Sequence, residues 1–239
     1  MCQTKFRLLE KGKKTEIFYS EQENSAVHIA VNNLMQDMQK VCPCKIVLCS
    51  KFDTQADHEN PRIVIATLSV SEICNIFPEE LQLYTEKIKN ADGRFHWEAY
   101  FHKIIGNTLY IVGADRRGTV FGIYDLCRQM GVSPWYFWAD VPIHKKAFFE
   151  LSASYEKVDW PDVQYRGIFL NDEEELDAWA KAHTVDGTIG PCTYEKIYEL
   201  LLRLKGNYIW PAMHVNCFNE NPENAKLADR MGIIVGTSH

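Results

Sequence analysis

The segment YRGIFLNDEE (165–174) carries the strongest fold signal in the chain. Its residues 165–170 form a continuous apolar run, which is typical of a parallel strand that is buried on both faces. Two more short apolar runs follow, NYIW (207–210) and IIVG (233–236), and helical periodicity separates the three runs. The order β-α-β-α-β predicts three parallel strands that are joined by right-handed helical crossovers.

Polar side chains follow each of these three predicted strands. They are Asn171, Asp172 and Glu173 after the first strand, His214 and Asn216 after the second, and Ser238 and His239 after the third. In α/β barrels and open α/β sheets, active sites lie at the carboxyl ends of the strands. The alternative for the acidic run is a solvated loop that favours the start of the next helix. Three polar strand ends together favour a functional site.

The first two-thirds of the chain predict a separate α+β domain. Strands are predicted at 16–20, 45–49, 62–67, 96–104 and 108–113, and helices at 23–41 and 118–130. A linker-like segment with Pro161 follows, so we expect an amino-terminal domain over 1–160 and a second domain over 161–239. The fold class is therefore α/β. A complete (β/α)₈ barrel needs about 250 residues, so we expect the second domain to supply only its first three βα units.

The segment GADRRGT (113–119) lies between a predicted strand and a predicted helix, where backbone amides hold anions in many proteins. It lacks the lysine of a P-loop, which argues against nucleotide binding. Either Asp115 caps the helix while both arginines are solvated, or the segment binds an anion, and the composition favours the cap. The aromatic run at 135–138 also has two interpretations, which are sugar stacking and the filling of a core or domain interface.

The composition excludes several classes of protein. The 239 residues are 46% hydrophobic and 24% charged, with a net charge of −6, which excludes a disordered chain and argues against nucleic-acid binding. No apolar run approaches the roughly 18 residues of a membrane span, and the amino terminus does not resemble a secretory signal. The eight cysteines are irregularly spaced, and the C-x-C-x₄-C cluster at 42–49 departs from zinc-site spacing. We therefore expect free thiols, no metal, no cofactor and, if Met1 is the true start, a cytoplasmic protein.

Six segments of the chain together resemble glycoside hydrolase family 115, the xylan α-1,2-glucuronidases. They are GADRRGTVFGIYDL, GVSPWYFWADVP, YRGIFLNDEE, YEKIYELLLRLKGNYIWPAM, NPENAKLADRMGI and GTSH. The resemblance covers most of residues 96–239, in order and with matching spacing. It implies a hexosaminidase-like amino-terminal domain before a TIM barrel. It also implies release of glucuronic acid or its 4-O-methyl ether from xylan or xylo-oligosaccharides by an inverting mechanism.

The resemblance also implies site residues. Asn171 and Asp172 are expected to line the uronic acid pocket, with His239 reaching in from the third strand. Asp172 is the predicted catalytic carboxylate, as base or as substrate ligand, and the general acid is expected beyond His239. Further substrate-binding roles are predicted for Glu173, Trp210, His214, Asn216 and Arg116. An arginine suits this substrate because it binds a carboxylate bidentately.

Two departures from the family pattern and two alternative functions remain. Family members usually carry a tryptophan where this chain has His214, and the loop at 180–192 also differs.

The alternative functions are a non-catalytic carbohydrate-binding or interaction module and a hexosaminidase-like hydrolase, which would carry an Asp-Glu pair further along its barrel. On the main hypothesis this chain is the front portion of a larger enzyme and is inactive alone; its oligomeric state is not predicted.

Overall fold

The computed structural model describes residues 4–49, 59–70, 72–170, 173–214 and 216–237. These residues form two compact units, which divide between Asp162 and Val163. The predicted site residues Asn171, Asp172 and His239 lie outside the described residues. In the described part of the chain, no helix is long and apolar enough to cross a membrane.

In its described residues, the first unit contains eight strands and three α-helices. The strands are β1 (Lys5–Glu10), β2 (Lys14–Phe18), β3 (Lys45–Cys49), β4 (Arg62–Thr67), β5 (Tyr100–Ile105), β6 (Thr108–Gly113), β7 (Phe148–Ser152) and β8 (Glu156–Asp159). The helices are α1 (Ser25–Val41), α2 (Glu80–Lys87) and α3 (Arg116–Met130). The apolar runs at 45–49, 62–67 and 108–113 are therefore confirmed as strands, whereas the sequence patterns do not predict β1, α2 or β8.

Six of these strands form one mixed sheet in the order β3-β2-β4-β6-β5-β8. The first four are parallel, and β5 pairs antiparallel with both β6 and β8. Strand β4 is buried along its whole length, as its β-branched sequence favours. Helices α1 and α3 pack against each other, while Leu81 and Tyr84 of α2 join a separate apolar cluster with Val64 and Phe101 of the sheet. Strands β1 and β7 form a small antiparallel sheet of their own.

The start of α3 is held by Asp115, as the sequence predicts. Its carboxylate accepts hydrogen bonds from the backbone amides of Arg117 (3.0 Å) and Gly118 (2.9 Å), so these amides are occupied. The expectation that both arginines are solvated is wrong for Arg117, which is 6% exposed and paired with the fully buried carboxylate of Glu98. The physical reason is that the Glu98 amide also donates to Asp115 (2.9 Å), which draws this segment over the helix start.

A buried carboxylate just before α1 contacts the end of β4. Glu23 accepts hydrogen bonds from the backbone amide (2.8 Å) and the hydroxyl (2.7 Å) of Thr67, and that hydroxyl contacts the hydroxyl of Thr119 (2.8 Å). Burial raises the pKa of Glu23 above its usual value, and the hydrogen bonds from Thr67 only partly oppose this. The folded state therefore binds the proton of Glu23 more tightly than the unfolded chain does.

This raised pKa predicts a pH-dependent effect of Glu23→Gln. The stability that protonation provides is fully present below the unfolded pKa, near 4.5, and is lost as the pH rises through the folded pKa. We therefore compare the melting temperature of the variant minus that of the parent. This difference is expected to be larger at neutral pH than below pH 4.5. Thermal melts of the chain at both pH values test this, with the exposed Glu21→Gln as the control. A difference in melting temperature between variant and parent that is the same at both pH values would contradict this prediction.

As far as the structure describes it, the second unit is a parallel three-stranded sheet with helical crossovers. Its strands are β9 (Gly167–Phe169), β10 (Tyr208–Trp210) and β11 (Ile234–Val235), and its helices are α4 (Glu173–His183), α5 (Pro191–Arg203) and α6 (Pro222–Met231). Strand β10 is central and parallel to both neighbours, which confirms the predicted β-α-β-α-β order. Gly232 ends α6 in the left-handed conformation, as glycine does at many helix ends. Helix α4 is not predicted from the sequence. Its last residues, 180–183, belong to the segment that we expect to be a loop.

The expectation that the first strand of this unit is buried on both faces is wrong. In β9, the side chains of Ile168 and Phe169 are 41% and 55% exposed. Within the described residues β9 is an edge of the sheet, because it pairs only with β10. A continuous apolar run is typical of a doubly covered strand, but its burial depends on neighbours that the run itself does not encode.

Candidate functional site

The polar residues after β9 and β10 lie at the carboxyl edge of the three-stranded sheet. Glu173 is the first residue of α4, three residues after Leu170, and Trp210 is the last residue of β10. His214 and Asn216 follow in the loop after β10. Parallel strands bring their carboxyl ends to one edge, so this edge gathers four of the predicted site residues, which are Glu173, Trp210, His214 and Asn216.

Glu173 connects the start of α4 to the loop after β10. Glu173 is 8% exposed, and its Oε1 atom accepts hydrogen bonds from the backbone amides of Met213 (2.7 Å) and His214 (2.8 Å). Hydrogen bonds to an ionised carboxylate are stronger than those between neutral groups. The structure therefore shows Glu173 bound to protein backbone, and its predicted contact with substrate stays a prediction.

Asn216 is held by a second group on α4. Its amide nitrogen donates to Asp177 (3.2 Å), and its amide oxygen accepts from the hydroxyl of Thr188 (2.7 Å). Lys181 pairs with the same carboxylate (2.6 Å). The hydrogen bonds from Lys181 and then Asn216 hold the pKa of Asp177 below its usual value. Asp177 and Thr188 are not predicted from the sequence, although Asp177 lies four residues after Glu173 and thus on the same helix face.

Trp210 and His214 differ in their exposure. The Trp210 ring packs edge-to-face against Phe169, with ring centroids 5.1 Å apart. Its indole nitrogen is buried, and none of the described residues accepts a hydrogen bond from it. The His214 side chain is exposed. An exposed imidazole and a half-buried indole are groups that contact sugars in many proteins, but their predicted roles in substrate binding stay predictions.

Arg116 lies in the first unit, as the first residue of α3, and its side chain is partly buried. The guanidinium of its neighbour Arg117 is paired with Glu98 and lies 4.9 Å from the centre of the Trp97 ring. The contact of Arg116 with a uronic acid stays a prediction.

The cysteines of the described residues bear on metal binding and on thiol chemistry. Among the described residues, no group of three or more His, Cys, Asp or Glu side chains is arranged to hold a metal ion. The cysteines of the described ranges are free thiols. Burial raises the pKa of the Cys44 and Cys74 thiols to about 11, which keeps them protonated and unreactive at neutral pH.

Comparison with known proteins identifies the class of this fold. One solved structure, a family GH115 4-O-methyl-alpha-glucuronidase with specificity for decorated arabinogalactans (BtGH115A), is 32% identical and covers 98% of this chain, with a TM-score of 0.79. A chitobiase of Flavobacterium johnsoniae (FjGH20) is 14% identical over 98% of the chain, with a TM-score of 0.54. CpGH84D is 10% identical over 95% of the chain, with a TM-score of 0.51. The last two show likeness of fold alone, and the mixed α/β architecture is that of glycoside hydrolases.

The family follows from the sequence match. Residues 158–239 match the model of glycosyl hydrolase family 115. The chain belongs to glycoside hydrolase family 115, which confirms the resemblance of its motifs. No curated protein sequence matches the chain. The chain spans 30% of the family 115 structure, 32% of the chitobiase and 41% of CpGH84D.

Proposed function

We propose that the complete gene product is a glycosidase that releases glucuronic acid or 4-O-methyl-glucuronic acid from a decorated polysaccharide. The observation that carries this proposal is the 32% identity, over 98% of the chain, to a family 115 4-O-methyl-alpha-glucuronidase. In the proposed enzyme, the second unit provides the first three strands of a (β/α)₈ barrel. The carboxyl edge of those strands then forms part of the active site.

The proposed chemistry is inverting hydrolysis. An inverting glycosidase uses one carboxylic acid to protonate the leaving oxygen, and a carboxylate about 6.5–9.5 Å away activates water. Asp172 follows β9 and precedes α4 in the sequence, and it is proposed as one carboxylate of the active site, as base or as substrate ligand. By family analogy, the general acid is contributed by a later barrel strand, beyond His239.

Recognition of a uronic acid needs groups that bind its carboxylate. An arginine provides two parallel N–H donors for this purpose, so Arg116 is proposed as one contact. Asn171, His214 and His239 are proposed to bind sugar hydroxyls or the carboxylate. The chain has a net charge of −6, so we expect binding to depend on such local groups.

Two polysaccharides are candidates for the backbone of the substrate. Family resemblance implies xylan, or xylo-oligosaccharides derived from it. The solved family 115 structure is described as specific for decorated arabinogalactans, which favours that backbone as a second candidate. Both carry uronic acids on side branches, so the uronic acid is the shared element of the proposed substrate.

A substrate panel tests the proposal. The complete gene product is incubated with glucuronoxylan, with uronic-acid-decorated arabinogalactan and with an N-acetylhexosaminide, and the products are separated by anion-exchange chromatography. We expect uronic acid from at least one of the two polysaccharides, and none after their carboxyl groups have been chemically reduced. Folded protein that releases no uronic acid from either one, or that releases N-acetylhexosamine instead, would sink the proposal.

A further inference from the structure

A cavity opens at the surface of the first unit, between the second half of α3 and the start of β8. Its volume of about 410 Å³ lies within the range of about 300–1,000 Å³ that is typical of small-molecule sites. The residues that line it all carry polar side chains, and they are Asp125, Arg128, Gln129, Tyr155, Glu156 and Lys157. Such a lining suits a polar ligand. None of the six residues is among those proposed for the active site.

One wall of this cavity is fixed by a chain of hydrogen bonds that reaches a buried histidine. The His102 side chain is completely buried, and its Nε2 atom lies 2.9 Å from the carbonyl oxygen of Gly122. Because a carbonyl oxygen only accepts, Nε2 of the neutral ring carries the proton, and Nδ1 accepts from the Tyr155 hydroxyl at 3.1 Å. The amide nitrogen of Gln129 donates to the same hydroxyl oxygen. The Tyr155 and Gln129 side chains are therefore held in place before a ligand binds, which lowers the entropic cost of binding.

The carboxylates around the cavity are paired with lysines of the protein itself. Asp125 is 5% exposed and forms an ion pair with Lys157 at 2.6 Å, and Asp159 lies 3.9 Å from the same ammonium group. Glu156 is paired with Lys103 at 3.0 Å. The charges of these two lysines are thus balanced within the protein.

Two neighbouring groups of the lining remain available to a ligand. Arg128 is exposed, and no residue in the described part of the chain forms an ion pair or hydrogen bond with its guanidinium. The amide nitrogen of Gln129 donates to both Asp125 and Tyr155, while its amide oxygen accepts from none of the groups that the structure describes. The cavity therefore offers a cation beside a hydrogen-bond acceptor.

We propose that this cavity is a second glycan-binding site, which takes a uronic acid residue of the decorated polysaccharide. Arg128 donates two parallel hydrogen bonds to the carboxylate, and the amide oxygen of Gln129 accepts from a sugar hydroxyl. A cation beside an acceptor selects a ligand that has both a carboxylate and hydroxyl groups. The choice of glycan rests on the proposed function, in which the substrate carries uronic acids on its branches. A second site increases the affinity for a chain with several branches, because linked contacts bind together.

The first test measures how fast Arg128 of the complete gene product reacts with phenylglyoxal, a reagent for arginine side chains. Labelled peptides are quantified by mass spectrometry, and the exposed Arg94 of the same unit is the internal control. We expect glucuronate, at about ten times its dissociation constant, to slow the labelling of Arg128 about tenfold and to leave that of Arg94 unchanged. Glucose and acetate at the same concentration are expected to protect Arg128 less, since each has only part of the required chemistry.

The second test compares the parent with Arg128→Ala, Arg128→Lys and the matched control Arg94→Ala. Affinity for glucuronoxylan and for decorated arabinogalactan is measured by retardation in gels that contain the polysaccharide. We expect Arg128→Ala to bind about tenfold more weakly, as for the loss of hydrogen bonds to a charged group. Arg128→Lys is expected to lie between it and the parent, because lysine keeps the charge and loses the bidentate geometry. In gels with carboxyl-reduced polysaccharide, all four proteins are expected to migrate alike.

The possible results separate this proposal from its alternatives. Equal protection of Arg128 by acetate and glucuronate would show an anion site without selectivity for sugars and would overturn the proposal. So would an absence of protection by glucuronate, or a folded Arg128→Ala variant with the affinity of the parent. The labelling experiment needs no variant and thus does not depend on how Arg128→Ala folds.

The proposed function has its own measurement, which is the release of uronic acid in the substrate panel. An enzyme that releases uronic acid while Arg128 stays unprotected refutes only the second glycan site. A protein in which glucuronate protects Arg128 but which releases no uronic acid refutes only the proposed function.

Discussion

Replacing Asp172 with alanine is expected to lower kcat for uronic acid release by about 10²–10⁴-fold, which is the range for loss of a group that transfers a proton in the transition state. Asp172 follows β9 in the sequence, and the neighbouring Glu173 is held by the loop after β10. On the proposed function, a residue that follows the first barrel strand in the sequence is expected to contribute to the active site. The measurement is initial-rate kinetics on the best polysaccharide of the panel, together with a thermal melt.

The control for this prediction is Glu174→Ala, which removes the same charge from an exposed side chain two residues later. It is expected to leave kcat within about twofold, as a surface substitution away from the reacting atoms does. Unimpaired release by Asp172→Ala would remove this residue from the active-site carboxylates. An equal loss in both variants would point to a general effect of charge on the start of α4.

Arg117→Ala is expected to destabilise the first unit by about 3–5 kcal/mol, because it leaves the carboxylate of Glu98 buried without its paired charge. The Arg117 and Glu98 side chains are 8% and 0% exposed. Arg117 also covers the Trp97 ring, so its removal costs packing as well as charge. The free energy of unfolding, measured by urea titration of the chain, tests this prediction.

Two variants sharpen this measurement. Arg128→Ala removes the same charge from an exposed side chain of the same helix and is expected to cost about 0.5 kcal/mol or less. The double variant Arg117→Met with Glu98→Gln is expected to recover much of the loss, because no uncompensated charge is then buried. A loss for Arg117→Ala no larger than that for Arg128→Ala would show that the ion pair does not stabilise the fold.

Much of the fold follows from local sequence. The run RIVIAT became a fully buried strand, Asp115 capped α3, and Gly131 ended it with a φ of 100°. These features depend on side-chain branching, on a capping carboxylate and on the freedom of glycine to take a positive φ, and all three act within a few residues. They could therefore be predicted without knowledge of distant contacts.

Long-range contacts were harder to predict. The burial of Arg117 depends on Glu98, which lies 19 residues away. The role of Glu173 depends on two amides 40 and 41 residues later. No local pattern distinguishes Glu173 from Glu174 before the loop after β10 is placed. The sequence thus located the edge of the sheet that carries the candidate site, while only the structure separated the residues that hold it together.

The most direct test of the proposed function is to follow the first uronic acid that the complete gene product releases by time-resolved proton NMR. Inverting hydrolysis of an α-linked uronic acid gives the β anomer first, and the α anomer then grows by mutarotation. We predict that the β anomer is the initial product on glucuronoxylan or decorated arabinogalactan. Release of the α anomer first would contradict the inverting mechanism, and no release by the folded protein would contradict the assignment as a glucuronidase.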